Sequence, residues 1–209
     1  MPGVNSFSEN VERYEAWFLD NPFAYVSELH AVRELLPKGN GVEIGVGTGR
    51  FAAPLGIKKG IEPSRPMAEH ARKKGIEVAA GVAEHLPYRN AELDFALMVT
   101  TLCFLDDMEL AFREVYRVLK PGGAFVIGFV DRESPLGKEY LAKKDQNVFY
   151  RDATFYAVRQ ITENLERTGF GRFEFRQTLF KPLAELTEVE PVKKGHGEGS
   201  FVVVRAVKR

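Results

Sequence analysis

Apolar positions recur at two periods along this chain, and the switches between them mark out the elements. Val11, Tyr14 and Phe18 fall at helical steps, and Asn21-Pro22 ends that helix. Leu29, Val32, Leu35 and Leu36 predict a second amphipathic helix before the Pro37-Lys38-Gly39-Asn40 turn. A strand over 42–45 follows, then a short helix over 50–55 and another from Met67 to Lys74, stopped by Gly75. Ile76 to Ala80 reads as a short strand, and Phe95 to Thr100 as a fully apolar central one. Met108, Ala111, Phe112, Val115, Val118 and Leu119 give the cleanest helical repeat; Pro121-Gly122-Gly123 ends it, and Ala124 to Val130 is the next strand. Strands and helices alternating in this way predict an α/β fold, a parallel sheet covered on both faces.

After Asp131 the pattern is lost. Residues 132–151 are polar, rich in Lys, Arg and Glu, and without a clean period, as expected of an insertion lying over the sheet's carboxyl edge. Phe155, Val158, Ile161 and Leu165 mark a last helix closed by Gly169. Phe173 to Leu179 and Phe201 to Val207 are the final two strands, joined by a long excursion that contains Lys193-Lys194-Gly195-His196-Gly197. Neither an internal repeat nor a linker interrupts the chain, so residues 1–209 are read as one domain, with cap helices in 1–36 and a lid in 132–151.

Composition narrows the function classes. At 209 residues the chain suits one domain with a substantial core. Lys plus Arg equals Asp plus Glu at 29 each, so no overall field draws in nucleic acid or an anionic membrane surface. One cysteine rules out an intramolecular disulfide framework and any multi-cysteine zinc site. The first residues lack a basic apolar leader, and no apolar run approaches the ~20 residues of a membrane span. A cytoplasmic monomer or homodimer without a metal is the expectation.

The candidate chemistry begins at Gly41-Val-Glu-Ile-Gly-Val-Gly-Thr-Gly-Arg-Phe51. Val42 and Ile44 flank Glu43 in a buried strand that breaks into three glycines at alternate positions, Gly45, Gly47 and Gly49. Glycine there lets the backbone turn tightly and lets a ligand approach where a Cβ would obstruct it. Open α/β sheets bind ligands at such a strand's carboxyl end. Nineteen residues after Glu43 comes Glu62, placed to accept hydrogen bonds from both hydroxyls of a ribose. Nicotinamide and flavin enzymes favour G-x-G-x-x-G, which cradles a pyrophosphate. This chain has G-x-G-x-G with an acid two residues before it, which repels a pyrophosphate and suits a ligand carrying positive charge.

On these residues the chain resembles the class I S-adenosylmethionine-dependent methyltransferases, and within them the small-molecule branch that includes the ubiquinone/menaquinone-biosynthesis enzymes. Tyr14-Glu-Ala-Trp-Phe18 is similar to the entry-helix pattern, Glu43–Gly49 to the first motif, and Glu62-Pro-Ser-Arg-Pro-Met67 to the ribose strand with its following Ser-x-x-Met. Ala83-Glu-His-Leu-Pro87 matches the third-strand exit, Leu93-Asp-Phe95 the start of the fourth strand, and Arg117-Val-Leu-Lys-Pro-Gly-Gly123 the turn before the fifth. The resemblance implies a Rossmann-like sheet of seven strands, mostly parallel, with an antiparallel terminal hairpin. It also implies a cofactor site of Tyr14, Glu43, Gly45, Gly47, Gly49, Glu62, Pro63, Ser64, Met67, Ala83, Glu84 and Thr100. There Glu43 lies near the methionine end, Glu62 on the ribose and Met67 against adenine. Two positions depart from the family: Val82 stands where an acid commonly contacts adenine, leaving the Ala83 amide, the Glu84 side chain or apolar contact to read it, and Cys103 stands where histidine is frequent.

The implied activity is methyl transfer from S-adenosylmethionine to an N, O, S or C nucleophile of a small molecule. The Asn/Asp-Pro-Pro-Tyr/Phe and Pro-Cys signatures of nucleic-acid methylating enzymes are absent from the sequence, as is a basic stripe. A catalytically silent S-adenosylmethionine-binding or regulatory protein is the alternative from another class. No residue in the sequence stands out as a general base.

Overall fold

A computed structural model of the protein describes residues 4–209. Three helices open the chain: α1 (Val4–Glu9), α2 (Val11–Asp20) and α3 (Pro22–Leu35). Then come β1 (Gly41–Ile44), α4 (Ala52–Leu55), β2 (Lys59–Ile61), α5 (Arg65–Lys73), β3 (Glu77–Ala79), β4 (Leu93–Val99), α6 (Met108–Val118) and β5 (Leu119–Val130). The last third holds α7 (Pro135–Ala142), α8 (Val158–Thr168), β6 (Phe170–Thr178), β7 (Lys193–Lys194) and β8 (Phe201–Lys208). The strands form a single sheet in the order β3-β2-β1-β4-β5-β8-β6-β7. β1 to β5 run parallel, and β8 lies antiparallel between β5 and β6.

The apolar runs of the central strands alternate between two cores. Ala96 and Met98 of β4, Phe125 and Ile127 of β5, and Val202 and Val204 of β8 pack with α6 and α8. Phe95, Leu97, Val126, Phe201 and Val203 face the other way, onto α3, α4 and α5. A strand buried on both faces therefore reads as a continuous apolar run. Within the region expected to cap the site, α3 instead belongs to the sheet's cover, with Ala31, Val32 and Leu35 in the second core.

All seven expected strands are present, and an eighth joins them. Lys193 and Lys194 pair with Gln177 and Arg176 at the edge. The buried Gln177 side chain organises this segment: its Oε1 accepts from the Glu198 and Gly199 amides at 2.8 Å each, and its Nε2 donates to the Lys194 carbonyl. No local period in 189–199 could have announced a strand held by a side chain twenty residues away.

The polar stretch after Asp131 contains α7. Ser134 caps it, accepting from the Gly137 amide at 3.0 Å. Gly137 rests directly on the Asp131 backbone, where an added Cβ would come within 2.1 Å of the carbonyl oxygen.

Candidate active site

A cavity of about 390 Å³ opens at the carboxyl ends of β1, β4 and β5, beneath α1, α2 and the segment after α7. Its floor is the glycine loop. Gly45, Gly47 and Gly49 all take positive φ, at 70°, 55° and 82°. Each is needed for a different reason. A Cβ on Gly45 would strike the Thr101 side chain at 2.4 Å, and one on Gly49 would strike Ile76 Cδ1 at 2.5 Å. At Gly47 the nearest groups are the Tyr14 hydroxyl at 3.3 Å and Met67 Cε at 3.5 Å, both of the cavity lining. Gly45 and Gly47 both line the cavity.

Glu62 follows β2 and stands beside that loop. Its Oε2 accepts from the Gly47 amide and its Oε1 from the Ser64 amide, each at 2.9 Å. The carboxylate is 8% exposed, and burial raises its pKa against the pull of those two amides. Pro63, Met67, Tyr14 and Thr100 share the same cavity wall. Thr100 ends β4 at φ 49°, an uncommon conformation for a β-branched residue, and its amide is held by the Gly128 carbonyl at 2.8 Å.

Glu43 lies behind the loop rather than in the wall. It is 2% exposed, its Oε2 has no hydrogen-bond partner among the described residues, and burial holds its pKa well up despite the Ala52 amide. Ser64 is also set back: it caps α5, and its hydroxyl pairs at 2.8 Å with that of Ser8 on α1. Ala83 and Glu84 do not line the cavity. Glu84 Oε1 is engaged by the Asp106 and Asp107 amides, at 2.9 and 3.3 Å, ahead of α6. Cys103 lies against the Thr100 carbonyl, and burial pushes its thiol up to about 12, far from thiolate chemistry.

Other residues around the cavity make contacts that the sequence does not announce. Glu15, next to Tyr14, bonds Thr48 Oγ1 and clamps the Arg50 guanidinium, with Lys74 Nζ at 3.8 Å. One side chain of α2 thereby grips both ends of the second half of the glycine loop. Above the cavity, Phe7 of α1 stacks on Phe149 with ring centroids 5.0 Å apart and meets Phe104 edge-on at 5.0 Å. The two covering segments, distant in sequence, touch each other there. Phe149, like Tyr140 and Tyr150, belongs to the 132–151 stretch expected to form a lid, whereas Phe7 sits in a stretch without periodicity and only three-dimensional proximity reveals it. Glu28, on the α3 wall, had no sequence signal at all.

Comparison with known proteins agrees with this architecture. The family model of the methyltransferase domain matches residues 42–127, from β1 into β5. An uncharacterized protein of Methanocaldococcus jannaschii is 44% identical over 205 residues, covering 98% of this chain and 100% of that protein. The crystal structure of a Thermotoga maritima S-adenosylmethionine-dependent methyltransferase, described as a possible histamine N-methyltransferase, is 55% identical. It superposes with a TM-score of 0.97 over 98% of this chain and 99% of its own. A phosphoethanolamine N-methyltransferase of Haemonchus contortus in complex with S-adenosyl-L-methionine shares the fold at 18% identity and a TM-score of 0.60, over 87% of this chain and 52% of that one. The seven-strand core, the glycine loop and the 55% identical neighbour together make this chain a member of the class I S-adenosylmethionine-dependent methyltransferases.

Proposed function

We propose that the enzyme methylates a small molecule enclosed in the cavity, and that Gly47, Glu62, Pro63, Met67, Tyr14 and Thr100 contact the cofactor there. The observation that carries this reading is the cover. α1, α2 and residues 140–150 roof the same cavity that exposes Gly47 and Glu62, so a polymeric substrate would have to displace the Phe7–Phe149 stack to reach it.

The residues fit S-adenosylmethionine on their chemistry. Glu62 offers a carboxylate to vicinal hydroxyls, Met67 an apolar face, and Gly47 an unobstructed approach. Glu43, buried with one oxygen unpaired, is an acid behind the loop that a cationic ligand would draw toward its ionised form and a pyrophosphate would not. When bound, the cofactor supplies a sulfonium methyl that is already an activated electrophile. The protein's part is alignment and exclusion of water. Thr100 marks the carboxyl end of β4, between the glycine loop and the aromatic wall; Tyr14 closes over Gly47, its hydroxyl kept neutral by burial beside Glu43 and Glu62. Glu15 holds that lid helix to the loop.

Calorimetry tests the reading: saturable binding of S-adenosylhomocysteine and none of NADH is expected. Binding of NADH without S-adenosylhomocysteine would overturn it. A methyl-transfer screen over amines, phenols, thiols and quinols then gives the acceptor atom, and turnover only on protein or nucleic acid would remove the small-molecule assignment.

A further inference from the structure

Glu28 has no role in holding the fold that its surroundings explain. It lies on α3, is 4% exposed, and lines the same cavity as Glu62. Among the described residues no hydrogen bond or ion pair reaches its carboxyl group; burial alone raises its pKa, to about 8. A buried, unpartnered acid costs stability unless something repays it. α3 could have placed an apolar residue here, since its neighbours Leu29 and Ala31 are core residues.

The walls around this group specify what could repay it. Tyr140 and Tyr150 feel its charge and lie with ring centroids 4.9 Å apart. Both are held as neutral phenols by burial. Across the whole lining, Asp20, Glu28 and Glu62 stand against a single cation, Arg13, which lies beside Phe149 on the other covering segment. A carboxylate backed by aromatic faces attracts an organic cation and repels an anion.

We propose that Glu28, with Tyr140 and Tyr150, forms an acceptor subsite for a small molecule carrying a protonated amine. The inference rests on the methyltransferase reading for its placement, because the subsite occupies the part of that cavity left free by the glycine loop and Glu62. The ammonium supplies the partner that Glu28 lacks, and the aromatic rings accept the carbon skeleton next to it. A phosphorylated or carboxylated acceptor offers no such counter-charge and would meet Asp20, Glu28 and Glu62 against Arg13 alone.

The test uses protein saturated with S-adenosylhomocysteine and measures binding of histamine, tyramine and 2-phenylethylamine by calorimetry, with tyrosol and 2-phenylethanol as uncharged counterparts of the last two. At least one amine is expected to bind tenfold or more tightly than the alcohols. Glu28→Gln, which keeps the shape, is expected to weaken that amine at least tenfold while leaving the alcohols and S-adenosylhomocysteine unchanged. Equal binding of amine and alcohol, an unaffected Glu28→Gln variant, or no binding by any of the three amines would overturn the subsite. Failure of S-adenosylhomocysteine itself to bind would instead remove the methyltransferase reading, so the two outcomes are separable.

Discussion

At the scale of residues, two buried carboxyl groups, Glu62 and Glu28, do different work because their partners differ. Glu62 is satisfied by two amides and still faces the cavity, so its loss removes a charged acceptor at the ligand surface. Glu62→Ala is expected to weaken S-adenosylhomocysteine binding by about 1.5–3 kcal/mol, the range for hydrogen bonds to a charged group. Calorimetry measures it, and an unchanged Kd at native Tm would put the ribose elsewhere. Glu28 makes a prediction about pH. Its pKa rises from the ordinary 4.5 to about 8 on folding, so between those values the folded chain keeps a proton that the unfolded chain has released. Stability from this group is therefore full below the unfolded value and is lost as pH rises towards about 8. The neighbouring phenols, Tyr25, Tyr140 and Tyr150, stay neutral throughout that window. Glu28→Gln is expected to match the native protein in thermal denaturation at pH 5 and to exceed it at pH 8.5, by on the order of 2 kcal/mol. A native protein equally stable relative to the variant at both pH values would show that Glu28 is partnered in solution.

At the scale of elements, α2 is joined to the glycine loop mainly by Glu15. The ion pair with Arg50 is about one-fifth exposed on each side, so solvent screens it only in part. Glu15→Gln is expected to cost about 1–2 kcal/mol in S-adenosylhomocysteine affinity and to raise hydrogen exchange in 11–20 together with 45–50. Exchange confined to α2 would mean the loop stands without it. The contrast between Glu62 and Glu15 shows what could be read from sequence. Glu62 follows its strand and glycine loop at a fixed spacing, so chain order alone places it. Glu15 acts on Thr48, Arg50 and Lys74 across thirty or more residues, and its own helix shows only a surface acid. The core strands were legible because each is apolar on both faces. α1, α7 and β7 were not, since they are held by aromatic stacking, by a backbone contact at Gly137 and by the Gln177 side chain, none of which leaves a period. Glu84 sits at the expected strand exit, yet its carboxylate is engaged by the amides before α6, a commitment that spacing does not reveal.

At the scale of the whole molecule, the cover is made from two separate stretches that meet at Phe7 and Phe149. Such a roof has to open for ligands to enter, and segments that open belong to the less stable part of a fold. Amides in 5–20 and 140–155 are expected to gain hydrogen-exchange protection when S-adenosylhomocysteine binds; protection limited to 45–49 would show that the acceptor is not enclosed by them. The sheet has its own consequence, for the order in which the protein can be made. β8 lies between β5 and β6, with seven residue pairs to each side of it and a register shift on the β6 side between Gly171 and Glu174. Until a ribosome has released residues up to Lys208, β5 and β6 have no strand between them, and each presents an edge of unpaired backbone groups. Closing the gap on the β5 side pairs residues as far apart as Ala124 and Val207, a slow event for a growing chain. Folding of this enzyme therefore completes after synthesis of its central strands has long finished, and the nascent chain most exposed to aggregation is the one that stops just short of Phe201.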